Sequence, residues 1–305
     1  MTITLTADTT APFLLTTSPA VNSNSLVGTV QSITVTFNEP MNPVTFGAGA
    51  LQLVSAGADL ILGTGDDVAI PAAISYNANS NAALLALNTA LQAGKYRVQL
   101  AAALTDVTGN PLAGALIWDF EVGRTINWIA SSDGYWDVGA NWSTGSPPQD
   151  LDIVIIDVPG NITVTHRTGM SRALSLQSQE SLVVSGSTLT LGESSITSSL
   201  SISGGGAFML HHDMTVNNTV NLGEGTLDGP GALHLPVGST LNVVGGNNYV
   251  NTLLEVAGSF NWTGGALRGS GITRIQQNVS VSISGSNITF GGALLENAGT
   301  MVLSS

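Results

Sequence analysis

The sequence predicts an all-β protein: a β-sandwich followed by a right-handed parallel β-helix, or β-solenoid. Three observations predict it. Residues 1–123 read as short runs in which apolar and polar side chains alternate, separated by Gly, Pro and Asn, the period of strands with one buried face. From about residue 173 onward, elements recur at a spacing of 40 to 41 residues, and self-similarity at a fixed spacing marks a repeat architecture. Only 9% of the 305 residues are charged while 36 are Gly, against roughly 25% charged in an average soluble domain. Polarity carried by hydroxyls and amides suits stacked strands, where small polar side chains hydrogen-bond along a ladder.

Charge and length narrow the function classes. The 305 residues are ample for two domains. Lys and Arg total 7 against 20 acidic residues, a formal charge of −13. A nucleic-acid face needs clustered Lys and Arg to neutralise phosphates, so nucleic acid is excluded as a partner. The N-terminus, Met1-Thr2-Ile3-Thr4-Leu5-Thr6, has neither the basic nor the apolar region of a signal peptide. No apolar run reaches the roughly 18 residues of a membrane-spanning helix. Export is therefore expected to depend on a signal upstream, in a longer protein of which this is a piece.

The first part carries strand patterns in Ile33-Thr34-Val35-Thr36-Phe37, Tyr96-Arg97-Val98-Gln99-Leu100 and Ile117-Trp118-Asp119-Phe120-Glu121-Val122. Turns are placed at Asn42-Pro43, Gly94 and Gly109-Asn110-Pro111. About seven strands in this length point to a sandwich. Ala11-Pro12, Thr17-Ser18-Pro19-Ala20, Val35-Thr36-Phe37-Asn38-Glu39-Pro40-Met41, Gly94-Lys95-Tyr96-Arg97-Val98, Thr105-Asp106-Val107-Thr108-Gly109-Asn110-Pro111-Leu112 and Phe120-Glu121-Val122 follow in that order. In these motifs the segment resembles the bacterial Ig-like domain of S-layer and surface proteins. The resemblance implies a spacer or stalk on a large exported protein, hence an extracellular or cell-surface location. The absence of Cys is compatible with such a protein and argues against a disulfide-stapled eukaryotic module.

One loop of this part is a candidate calcium site. Gly57 to Val68 holds Asp59, Asp66 and Asp67 with three glycines, and hard cations take oxygen ligands from flexible acidic loops. Leu60, Ile61 and Leu62 occupy places where ligands are wanted, so a hairpin tip with solvated acids is the competing reading. Asp106 and Asn110 read as a turn capped by its own side chains.

Character changes after Gly123. Residues 124–172 hold Trp128, Trp136 and Trp142 within 15 positions, of five Trp in the chain. Ser132-Asp133-Gly134-Tyr135-Trp136 through Asn141-Trp142-Ser143, with Pro147-Pro148 and Asp152-Ile153-Val154-Ile155-Ile156, resembles the entry segment of bacterial passenger and adhesin β-helices. Three aromatics this close form either a cap on the open end of the solenoid, which its terminal unit requires, or a sugar-stacking platform.

Residues 173–305 are read as solenoid repeats. Gly225-Thr226-Leu227-Asp228-Gly229-Pro230-Gly231 recurs 40 residues on as Gly265-Ala266-Leu267-Arg268-Gly269-Ser270-Gly271. Leu241-Asn242-Val243-Val244-Gly245 recurs as Val281-Ser282-Ile283-Ser284-Gly285, again 40 on. That spacing fits two coils of about 20 residues each. Phe260-Asn261-Trp262-Thr263-Gly264-Gly265 and Glu296-Asn297-Ala298-Gly299 resemble units of very large bacterial surface proteins with filamentous-adhesin-like helices. The repeat is expected to be incomplete at its C-terminal end.

Polysaccharide lyases and hydrolases also use β-helices, and they need acids clustered across adjacent coils. The acids beyond residue 173 are dispersed, with Glu255 and Glu296 sharing a repeat position. His211-His212-Asp213 is the one compact polar group; neighbouring strand residues face opposite ways, which prevents both histidines from holding one metal. No nucleophile elbow, phosphate loop or His-Glu-x-x-His is present, so no catalytic residue is assigned. The expectation is a structural or adhesive, non-enzymatic segment meeting surface glycans or other cell-surface proteins. A carbohydrate-binding or polysaccharide-degrading β-helix is the alternative.

Overall fold

The computed structural model describes residues 8–20, 26–27, 29–114, 116–193, 195–285 and 287–304. The chain divides into two compact units, Met1–Arg124 and Thr125–Ser305.

In the first unit, nine strands form two antiparallel-dominated sheets: β1 (Leu14–Ser18), β2 (Leu26–Val27), β3 (Ser32–Phe37), β4 (Leu51–Ser55), β5 (Val68–Ala69), β6 (Ala72–Asn77), β7 (Ala82–Leu87), β8 (Gly94–Leu100) and β9 (Leu116–Val122). One sheet has the order β1-β3-β7-β6 and the other β2-β9-β8-β4-β5. The alternation read from the sequence sets the inner face. Ile33, Val35 and Phe37 of β3, Tyr96, Val98 and Leu100 of β8, and Trp118, Phe120 and Val122 of β9 are buried. Burying each such side chain contributes about 1.5–3 kcal/mol. Phe46 stacks on Tyr76 at 4.6 Å between ring centroids and meets Phe37 edge-on. On the outer face, register places Lys95 opposite Glu121 and Arg97 opposite Asp119, with ion pairs of 3.0 and 2.7 Å.

The second unit is a parallel β-solenoid of about eight turns. Nineteen strands form one sheet that winds from Arg124–Asn127 to Thr300–Ser304. The column Leu182, Leu200, Val220, Leu241, Phe260, Val281, Met301 is aligned from coil to coil, so along this column one coil takes 18 to 21 residues. Two such coils account for the 40-residue spacing. Parallel pairing already starts at Gly134 opposite Val164 and Thr163 opposite Ser181. Residues 124–172 are thus wound into the solenoid as its first coils, ahead of residue 173.

The repeated glycine motif has a packing reason. Gly229 and Gly269 adopt φ of +111° and +113°, a region that favours Gly. A side chain on Gly231 or Gly271 would run into the backbone carbonyls of His212 and Thr252 on the preceding coil. The motif is a corner where one coil lies against the backbone of the last, and it recurs because the corner recurs.

Candidate functional site

The acidic loop folds its carboxylates inward on its own backbone. Asp66 accepts the amide N–H groups of Ala58 (2.9 Å) and Asp59 (3.3 Å) and the Thr64 hydroxyl (2.7 Å). Asp59 accepts the Ile61 N–H and Asp67 the Gly63 N–H, each at 2.8 Å. The Thr64 hydroxyl, with the two backbone amides, holds Asp66 below the usual carboxylate range. Asp59, Asp66 and Asp67 are tied by local turns and do not converge as one ligand set. Among the described residues, the three carboxylates that do converge are Asp8, Glu39 and Asp106, with one oxygen of each within 4.8 Å of the others. Asp106, 1% exposed, accepts from the amides of Thr108 and Asn110 (2.8 Å each) and from the side chains of both. Burial acts against its charge, and these donors outweigh that penalty, so it lies below the usual carboxylate range. This is the capped turn expected from residue types. Three carboxylates supply only part of the roughly six to eight oxygens that calcium takes. Sequence reasoning missed the trio because Asp8, Glu39 and Asp106 are far apart in the chain and meet only through the sandwich.

The tryptophans are interior. Trp128, Trp136 and Trp142 are 3%, 0% and 1% exposed. Trp142 meets Trp128 and Trp136 edge-on at 5.0 and 5.1 Å, and its indole N–H donates to the Trp136 carbonyl at 2.8 Å. A sugar stacks on an open ring face, and these rings are covered; the sugar platform expected as one reading of Trp128, Trp136 and Trp142 is not formed. Beside them lies a residue the sequence did not single out. His166 is 0% exposed, and neither ring nitrogen has a hydrogen-bond partner. It occupies the inward position that Val184 and Ile202 fill on the next two coils. Burial pushes its pKa down, with nearby Asp137 opposing the shift.

His211 and His212 lie at an exposed bend. Asp213 beside them accepts the Ala232 N–H at 2.9 Å and faces His234 at 3.4 Å. From His234 an outward column of polar side chains runs up the solenoid: His234, Glu255, Arg274 and Glu296 stand opposite one another on four successive coils. His234 contacts Glu255 at 2.9 Å and Arg274 contacts Glu296 at 2.7 Å. The repeat match of Glu255 with Glu296 spans two coils, so a cation lies between them. On the neighbouring face an amide column runs Ser201, Asn221, Asn242 and Asn261, each Asn donating to the preceding member at 2.9 to 3.1 Å. The amides satisfy one another along the axis. In the other column His234 and Glu255 line a cavity of about 380 Å³ together with Thr215 and Gln276, and the Gln276 amide donates to Glu255 at 2.6 Å.

The comparisons agree with this division. The family model of the bacterial Ig-like domain matches residues 8–122, the extent of the sandwich. The first unit is a bacterial Ig-like domain. No curated protein matches the chain. Among solved structures, the methionine-rich copper resistance protein PcoC from Escherichia coli is 21% identical, over 37% of this chain and 99% of its own, with a TM-score of 0.30. The S-layer protein rSbsC(31-844) is 16% identical over 40% of this chain and 16% of its own, with a TM-score of 0.27. A second S-layer fragment, SbsC domains 1-6, is 16% identical over 44% of this chain and 17% of its own, also at 0.27. At these identities and TM-scores the likenesses say nothing of what this chain does.

Proposed function

We propose that this chain is a structural and adhesive segment of a large bacterial cell-surface protein, with an Ig-like spacer and a solenoid that displays its outer columns. It is not an enzyme. The observation that carries the reading is the outward column His234-Glu255-Arg274-Glu296, in which His234 contacts Glu255 and Arg274 contacts Glu296 from one coil to the next. General acid–base work needs an acid and a base held either side of one bond in a cleft, whereas Glu255 and Glu296 here are each engaged by a neighbour of their own column, His234 and Arg274. A solenoid suits display because every coil adds side chains at the same register positions on an extended face. Surface glycans or other cell-surface proteins are the proposed partners. The test is binding of the whole chain to glycan arrays and to bacterial surfaces, alongside incubation with uronic-acid and neutral polysaccharides. Retention without cleavage is expected; release of oligosaccharides from any of them contradicts the reading.

A further inference from the structure

Two outward columns of the solenoid border the 380 Å³ cavity beside His234. One is Thr215, His234 and Glu255, in register from coil to coil. The other stands two residues further along each coil and reads Pro236, Ala257 and Gln276. Pro236 and Ala257 are short, so His234 and Glu255 rise beside them as a polar wall over an apolar floor, with exposed Val237 at the rim. Thr215, His234, Glu255 and Gln276 lie on four successive coils. At roughly 4.8 Å per coil the groove runs about 14 Å along the axis, room for an extended ligand.

Glu255 is the fixed group in this wall. One of its oxygens lies 2.9 Å from His234 Nδ1, and the other accepts from Gln276 Nε2 at 2.6 Å. Side chains from both adjoining coils therefore hold the carboxylate. It has about four acceptor sites, which leaves about one free on each oxygen. Hydroxyls on two adjacent carbons can donate to both oxygens at once. An acceptor already held in place loses little freedom when such a ligand arrives.

Charge and main-chain pairing select the ligand class. Arg274 stands opposite Glu255 on one side and His234 contacts it on the other, so the carboxylate offers a cation little unpaired charge. An anion meets Glu255 and nearby Asp213, both close to His234, on a chain of formal charge −13. An added peptide strand needs unpaired main-chain groups, and the strands under the groove are paired with the coils on either side.

We infer that this groove binds a neutral hexose glycan, whose vicinal hydroxyls donate to Glu255 and whose C–H face lies on Pro236, Val237 and Ala257. This rests on the adhesive reading above and gives it a ligand class and a place on the solenoid.

The test is calorimetric titration of the full chain with dextran, glucomannan and galactomannan, and with polygalacturonate and polylysine as charged counterparts. Saturable binding to at least one neutral polymer is expected, with none to polygalacturonate. Glu255→Gln is expected to weaken it by about tenfold or more, the loss of a hydrogen bond to a charged group. Ala257→Arg, which fills the floor, is expected to abolish it, as is prior periodate oxidation of the polymer, which cleaves vicinal diols. Both variants are expected to melt with the unchanged chain, so that lost binding reports contact and not folding; should one of them unfold, the other carries the test. Binding that survives both substitutions, stronger binding to polylysine or polygalacturonate, or no binding to any neutral polymer overturns the inference. Retention on bacterial surfaces in any of those cases leaves the adhesive reading standing, whereas cleavage of a polymer contradicts that reading and not the groove.

Discussion

The Ig-like domain and the solenoid solve one problem, a β-sheet with a face to bury, in opposite ways. The sandwich buries Phe37, Tyr96 and Phe120 between two sheets whose strands come from distant parts of the segment, so its core is a single cooperative body. The solenoid buries Leu200, Val220, Leu241 and Phe260 one above another, so each coil depends on its two neighbours. Damage to the first is global, whereas damage to the second is borne by adjoining coils and is worst at an end.

The largest effect is expected at the first coils of the solenoid. Trp136→Ala removes the fully buried centre of the tryptophan cluster and is expected to cost about 3–5 kcal/mol; calorimetry is expected to show the solenoid transition lowered and that of the Ig-like domain unmoved. In the sandwich, Phe37→Ala carries a similar expected cost of about 3–5 kcal/mol, but it lowers the other transition. If either variant shifts both transitions equally, the two units do not unfold independently and the comparison fails.

His166 sharpens the contrast through pH. Its folded pKa lies below the ordinary histidine value because it is buried without partners, so the unfolded chain binds more protons. Stability from this group is fully present above about pH 6.5 and declines as pH falls below it, by at most about 1.4 kcal/mol per pH unit. Acidification from pH 7.5 to 5 is expected to lower the solenoid transition, and His166→Leu is expected to flatten that dependence. An unchanged pH profile in the variant refutes the assignment.

Smaller effects distinguish the two outer faces. Asn242→Ala interrupts the amide column and is expected to cost about 1 kcal/mol in chemical denaturation of the solenoid. Arg97→Ala, at an exposed pair with Asp119, is expected to cost only about 0.2–1 kcal/mol, less at high salt.

How much of this was legible in sequence follows from the range of the interactions. Alternation in Ile33 to Phe37 and Tyr96 to Leu100 is local, and it marked strands and their buried faces correctly. The repeated glycine corner was visible as a 40-residue spacing because the same steric demand returns at every second coil. What the sequence hid was alignment between coils. Glu255 and Glu296 match in the repeat, yet the neighbour of both is Arg274, because the repeat spans two coils, of 19 and 22 residues at this column. Nor did composition separate a cap from a sugar platform: Trp128, Trp136 and Trp142 read alike in either role until their burial was known. The acidic loop drew attention by density of Asp, whereas the converging carboxylates come from three separated segments.

The central claim is that the second unit is one stack of coils in register with continuous outer columns. The chain has no Cys, so two introduced at Ser201 and Ser282 can carry spin labels without interference. These positions share a column four coils apart. Dipolar electron resonance is predicted to give one narrow distribution for a backbone separation of about 19 Å, four steps of the inter-strand spacing. A broad distribution, or one centred beyond about twice that distance, contradicts the account.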